Sequence, residues 1–160
     1  MNDTILLVED EVNDVFFMRL AFQEVGILNP LQVAPDGREA INYLIGSEGY
    51  ADREKFPLPC LVLLDLKLPW VMGFDVLKWV REQPALKTLI VIILSSSQLK
   101  PDIERAYQLG ANAYLVKPST PPELRELVTG INQFWLKLNH GPAANHESQE
   151  CVVAYGANTP

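Results

Sequence analysis

Cysteine and histidine are scarce in this chain, with two of each among 160 residues. Cys60 lies in an apolar run and Cys151 in a polar C-terminal stretch, so no disulfide framework is implied. His140 and His146 both sit near the C-terminus, which leaves the rest of the chain no histidine for a hydrolytic triad or a zinc site. Basic residues are in deficit: 13 Lys and Arg stand against 20 Asp and Glu, a formal net charge of −7. Phosphate backbones reward basic patches, so a direct nucleic-acid partner is not expected, whereas a protein partner is compatible with this charge. No apolar stretch approaches the ~18 residues of a membrane span. Met1-Asn2-Asp3-Thr4 carries no basic segment of a secretion signal. A cytoplasmic protein is expected.

Apolar residues make up 48% of the chain and mean hydropathy is +0.05, enough for a full core in a soluble protein. Short apolar runs alternate five times with amphipathic stretches. The pattern predicts strands over 5–8, 32–34, 60–64, 89–94 and 113–116, and helices over 13–25, 37–45, 74–82, 102–109 and 122–138. In the first helix Val15, Met18, Phe22 and Val25 share one face. In the last, Leu124, Leu127, Val128, Ile131, Trp135 and Leu138 do the same. Gly26 and Gly110 supply helix stops, and Asp36-Gly37 marks a turn. Residues 46–59 read as a long polar loop. Strongly apolar strands alternating with helices imply a parallel sheet covered on both faces, an α/β domain over 1–139. Residues 140–160 read as a flexible C-terminal tail.

Chemistry collects where these strands end. Asp65 closes the run Cys60-Leu61-Val62-Leu63-Leu64, at the carboxyl end of a strand, where open α/β sheets place their ligands. It reads as a turn residue, or as a metal ligand or nucleophile able to carry an acyl phosphate. Pro69 and Gly73 separate it from the next helix, too far for it to cap that helix. Glu9-Asp10-Glu11 closes the first strand. Two like charges ~4 Å apart cost roughly 4 kcal/mol at an effective dielectric near 20, a cost that a shared cation removes. These acids suit either a helix N-terminus or a Mg²⁺ site. Ser95-Ser96-Ser97 closes the fourth strand, as a polar loop or a source of a phosphoryl-binding hydroxyl. Lys117-Pro118 closes the fifth, as a solvated lysine or a partner for phosphoryl charge, with a candidate cis bond to aim it. All four groups share one sheet edge, and together they are complementary to phosphoryl transfer.

These residues resemble the receiver domain of two-component response regulators. The likeness rests on Ile5-Leu6-Leu7-Val8-Glu9-Asp10, Leu64-Asp65-Leu66-Lys67-Leu68-Pro69 with Gly73, Leu94-Ser95-Ser96, and Tyr114-Leu115-Val116-Lys117-Pro118. It extends over about residues 4–138. Asp36-Gly37-Arg38-Glu39-Ala40, the long loop and Phe134-Trp135-Leu136 are similar to stand-alone regulators paired with bacterial phytochromes. The resemblance implies a flavodoxin-like (β/α)5 fold with strand order 2-1-3-4-5. It implies Asp65 as phosphoacceptor, with Mg²⁺ held by Glu9, Asp10, Asp65 and the backbone carbonyl of Lys67. Ser95 and Tyr114 would be the switch pair, and Lys117 the phosphoryl-binding cation. The implied partner is a sensor histidine kinase, a phytochrome among the candidates, and the implied output is protein contact or phosphorelay, not enzyme catalysis.

Two departures stand out. Lys67 occupies a position where many receivers carry Asn or another polar residue, and it adds a cation at the site's mouth. Met72 precedes Gly73 where Asp or another polar residue is common, and with Trp70-Val71 it makes an apolar loop beside the site. The Phe134-Trp135-Leu136 cluster suits either a homodimer contact through the last helix or packing on its own sheet. Three other readings differ in class. An aspartyl phosphatase would want a second Asp where Lys67 stands. A flavodoxin-like nucleotide binder would want a Gly-rich loop where Glu9-Asp10-Glu11 stands. A receiver-like scaffold would bind partners without phosphorylation.

Overall fold

The computed structural model describes residues 4–141. The expected tail from residue 142 onward, with His146 and Cys151, lies outside the described residues. Five strands alternate with helices: β1 Ile5–Val8, α1 Val12–Val25, β2 Leu31–Ala34, α2 Gly37–Ile45, β3 Leu61–Leu64, α3 Gly73–Glu82, β4 Ile90–Ser95, α4 Lys100–Gln108, β5 Ala113–Val116 and α5 Pro121–Ile131. The strands form one parallel sheet in the order β2-β1-β3-β4-β5. That is the order the sequence resemblance implied. Expected ends move by a residue or two. β4 runs on through Ser95, because its last residue pairs with Val116, and α4 starts at Lys100, before the expected Asp102.

Successive strand residues point to opposite faces, so each strand feeds two cores. Leu6, Val8, Val62, Leu64, Val91 and Ile93 pack with Tyr43, Leu44, Leu77, Val80 and Ala106 of α2, α3 and α4. Ile5, Leu7, Leu61, Leu63, Ile92 and Leu94 pack with Met18, Phe22, Val128 and Ile131 of α1 and α5. Full burial of one such Leu or Ile stabilises by ~1.5–3 kcal/mol, which is why the strands read as unbroken apolar runs. Gly26 and Gly110 end α1 and α4 as expected, and the Asp36 side chain accepts the Glu39 N–H to start α2.

Two expectations are corrected. The last helix is not α-helical to its end: Asn132–Leu138 is a π-helix continuing α5. Its i→i+5 bonding, with Asn139 N–H on the Phe134 carbonyl at 2.7 Å, widens the turn and shifts the register. Trp135 and Leu136 therefore lie against the α1/α5 core, whereas Leu138, expected inside, is exposed. The described backbone holds no cis peptide bond, so the bond before Pro118 is trans. Lys117 is aimed by strand register instead, its N–H donating to the Ser95 carbonyl at 2.9 Å.

The 46–59 loop is long, as expected, and is tied down. Arg53 Nη1 donates to the Tyr43 and Phe56 carbonyls at 2.7 and 3.1 Å, and its Nη2 to the Leu44 carbonyl at 2.8 Å. Tyr43 and Tyr50 each meet Phe56 edge-on and are tilted against each other, and burial pushes the Tyr43 phenol up to about 12. Among the described residues no helix is long and apolar enough to cross a membrane.

Candidate functional site

The parallel register sets the site. Val8 pairs with Leu64, so the next residues, Glu9 and Asp65, leave the sheet side by side at its carboxyl edge. Asp65 N–H donates to the Val8 carbonyl at 3.1 Å, and Glu9 N–H to the Ala34 carbonyl at 3.0 Å. Lys117 leaves β5 on the same edge, and its chain reaches back across β4. Its ammonium lies 2.6 Å from Glu9 Oε2, 2.8 Å from Asp65 Oδ2 and 3.0 Å from Asp14 Oδ2. Gly73 makes room for this arrangement: a Cβ there would collide with the Asp65 carbonyl oxygen.

Glu9, Asp10 and Asp65 each offer a carboxylate oxygen, and these oxygens lie within 4.8 Å of one another. Three hard oxygens of like charge in so small a space fit a divalent cation, and these three residues would hold it. Glu9 and Asp65 are buried while Asp10 is exposed, so the group opens to solvent on one side. Lys67 donates its backbone N–H to Asp65 Oδ1 at 3.2 Å and turns its side chain to solvent. Burial raises the pKa of Glu9 above the ordinary carboxylate value, against the opposing pull of Lys117. Burial works to lower the pKa of Lys117, but its bonds to Asp65, Glu9 and Asp14 outweigh it and the net shift is upward. Lys117 therefore stays charged.

Ser95 and Tyr114 form a second group, joined through Ser97. Ser95 is fully buried and its Oγ accepts the Ser97 N–H at 3.2 Å. Tyr114 donates its hydroxyl to the Ser97 carbonyl at 2.9 Å. The Ser97 hydroxyl donates to Asp102 Oδ2 at 2.5 Å and accepts the Leu99 N–H at 3.3 Å, which ties the β4–α4 loop to the first turn of α4. Of the three serines only Ser96 faces solvent.

The apolar loop beside the site is exposed at Trp70 and Met72, and Trp70 takes a positive φ of 65°. Arg38 lies over the Trp70 ring. Asp14 and Asp102 were not singled out for the site from the sequence, and Ser97 was read only as part of the Ser95-Ser96-Ser97 run. A signal existed for Asp14: it stands four residues after Asp10, in the first turn of α1. None existed for the Ser97–Asp102 bond, which depends on how the loop folds.

Residues 5–129 match the family described as response regulator receiver domain. A probable methanogenesis regulatory protein of Methanothrix harundinacea, FilR2, is 36% identical over 138 residues, 86% of each chain. The Mn²⁺-bound crystal structure of response regulator Rcp1, a protein known from Synechocystis sp., superposes with a TM-score of 0.79 at 35% identity, covering 88% of this chain and 99% of that one. The crystal structure of the phosphorylated cyanobacterial phytochrome response regulator RcpA superposes with a TM-score of 0.82 at 34% identity, covering 89% of this chain and all of that one. With its sheet order, its carboxyl-edge acids and these relatives in agreement, the chain belongs to the response regulator receiver domain family.

Proposed function

We propose that Asp65 is the phosphoacceptor of a cytoplasmic response regulator served by a sensor histidine kinase of the phytochrome class. One observation carries the reading. Asp65 shares a single partly buried cation with two further carboxylates, and Asp10 adds another carboxylate beside them, so negative charge exceeds positive at a strand end open to solvent. In the transfer an Asp65 oxygen attacks the phosphorus of a phosphohistidine. The O–P bond forms, the P–N bond breaks, and the imidazole leaves with the electron pair. Glu9, Asp10, Asp65 and the Lys67 carbonyl would hold a Mg²⁺, which would neutralise part of the incoming phosphoryl charge.

Lys117 then pairs with the phosphoryl oxygens, and the Ser95 hydroxyl donates to one of them. The Ser97 segment, held by Ser95 on one side and Tyr114 on the other, carries the change into the β4–α4 loop. Output is by contact with another protein or onward phosphotransfer. The experiment is acetyl phosphate with Mg²⁺, read by intact mass on wild type and Asp65→Asn. A phosphoryl adduct on wild type alone is the expected result. No adduct on wild type refutes the reading and favours a scaffold that binds without phosphorylation.

The same regulator is proposed to pair with a second copy through the end of its last helix. Phe134 and Leu138 are exposed there while Trp135 and Leu136 serve their own core. Sedimentation of wild type against Phe134→Glu tests this; equal monomer mass for both refutes the dimer.

A further inference from the structure

Lys117 has three N–H donors, and all three are committed. Glu9, Asp65 and Asp14 each take one, at 2.6, 2.8 and 3.0 Å. A phosphoryl group on Asp65 brings about two negative charges and needs the same ammonium. Acylation removes the charge of the Asp65 carboxylate, so the phosphoryl group takes over the N–H that Asp65 held, and its second negative charge competes for one of the others. The three carboxylates differ in what release would cost. The Glu9 side chain is 2% exposed, so losing its cation would leave a buried charge uncompensated. Asp65 is the acceptor itself, 8% exposed, and stays covalently next to the phosphoryl group. The Asp14 side chain is 46% exposed, and water can replace Lys117 there at little cost.

We propose that Asp14 is a positioning residue: it holds the third N–H of Lys117 in the unphosphorylated protein and yields that N–H to the phosphoryl group. Asp14 stands in the first turn of α1, outside the trio of Glu9, Asp10 and Asp65. It acts through Lys117. Its bond keeps the ammonium extended over the sheet edge before the phosphoryl arrives, and competes with the phosphoryl afterwards. The carboxylate thus sets the balance between the two states. This inference rests on Asp65 as phosphoacceptor.

Beryllofluoride, which binds a carboxylate as a phosphoryl mimic, tests it without a kinase. Calorimetric titration at saturating Mg²⁺ compares wild type, Asp14→Asn and Glu11→Gln. Glu11 is an exposed acid two residues from Glu9, and only its backbone N–H contacts the site, on Glu9 Oε1 at 3.1 Å. Its substitution removes the same charge without touching Lys117. Asp14→Asn is expected to bind beryllofluoride roughly three- to fivefold more tightly than wild type, the size of an exposed ion pair, with Glu11→Gln within about twofold of wild type. A gain in affinity is an outcome that structural damage does not produce. Unchanged or weaker binding by Asp14→Asn overturns the inference. So does an equal gain in Glu11→Gln, which would assign the effect to general repulsion. Failure of wild type to bind at all would overturn the phosphoacceptor reading itself, and is thereby distinguished from failure of the Asp14 inference alone.

Discussion

The two edges of this sheet each hold a partly buried cation, and the two are solvated in opposite ways. At the amino edge Arg81 reaches across from α3. Its Nε donates to the Gly110 carbonyl at 2.8 Å, its Nη1 to the Leu89 and Lys87 carbonyls at 2.8 and 3.2 Å, and its Nη2 to Asn112 Oδ1 at 2.9 Å. Every partner is neutral, and burial lowers the pKa of the guanidinium. At the carboxyl edge Lys117 meets three carboxylates, and its pKa is raised. The arginine's donors face fixed dipoles and nothing further is required of the site. The lysine's surroundings carry an excess of negative charge, which fits a divalent cation beside it. A structural clamp and a switch thus differ less in burial than in whether the partners leave charge over.

Substitutions at the two cations should separate chemistry from stability. Lys117→Met is expected to lower the rate of adduct formation from acetyl phosphate by roughly a hundredfold, as for loss of a charged transition-state donor. Its melting temperature in Mg²⁺ should stay near wild type, and the reverse pattern would undo the contrast. Arg81→Ala should do the opposite. It strands the Gly110 and Leu89 carbonyls and frees Asn112, which also accepts the Val91 N–H at 2.8 Å. Urea unfolding is expected to show a loss of about 3 kcal/mol, with phosphorylation of the folded fraction unchanged.

A smaller effect concerns Glu9. Its folded-state pKa is raised by burial, so the folded chain binds its proton more tightly than the unfolded chain does. Its favourable contribution is complete below the ordinary carboxylate pKa and is lost as pH rises through the folded value. Above that window the ionised group costs stability. Glu9→Gln, with metal chelated, is therefore expected to melt about 3 °C above wild type at neutral pH, the gap closing as pH falls toward 4.5. A gap independent of pH would mean that Lys117 compensates Glu9 fully. The smallest expected effect belongs to Lys67→Asn. With the exposed ammonium gone from the mouth of the site, the acyl phosphate lifetime should change a few-fold while the Asp65 hydrogen bond from the backbone N–H persists. Equal lifetimes and equal Mg²⁺ dependence would leave Lys67 only its backbone role.

Much of the carboxyl edge was legible in the sequence because parallel strands buried on both faces must be unbroken apolar runs. A charged residue marks their end. Glu9, Asp65 and Lys117 announce themselves in this way, and strand register alone brings them together. The Arg81 clamp was not legible, since three of its four acceptors are backbone atoms that no residue type signals. The inward positions of the last helix were misjudged at Leu138 for a related reason. An α-helical period was applied across a π-helical segment, and the wider turn is a property of the backbone.

Residue order thus decided which groups stand at the sheet's carboxyl edge, because burial leaves charged side chains no place within these strands. The folded chain decided how those groups share their bonds. Asp14 joins Lys117 because α1 packs beside α5 and lays its first turn over the edge, and Ser97 joins Ser95 to Tyr114 through backbone atoms. The Asp14–Lys117 bond needs a distance near 3 Å between groups 103 residues apart in the chain, and only packing of the helices on the sheet brings these two so close.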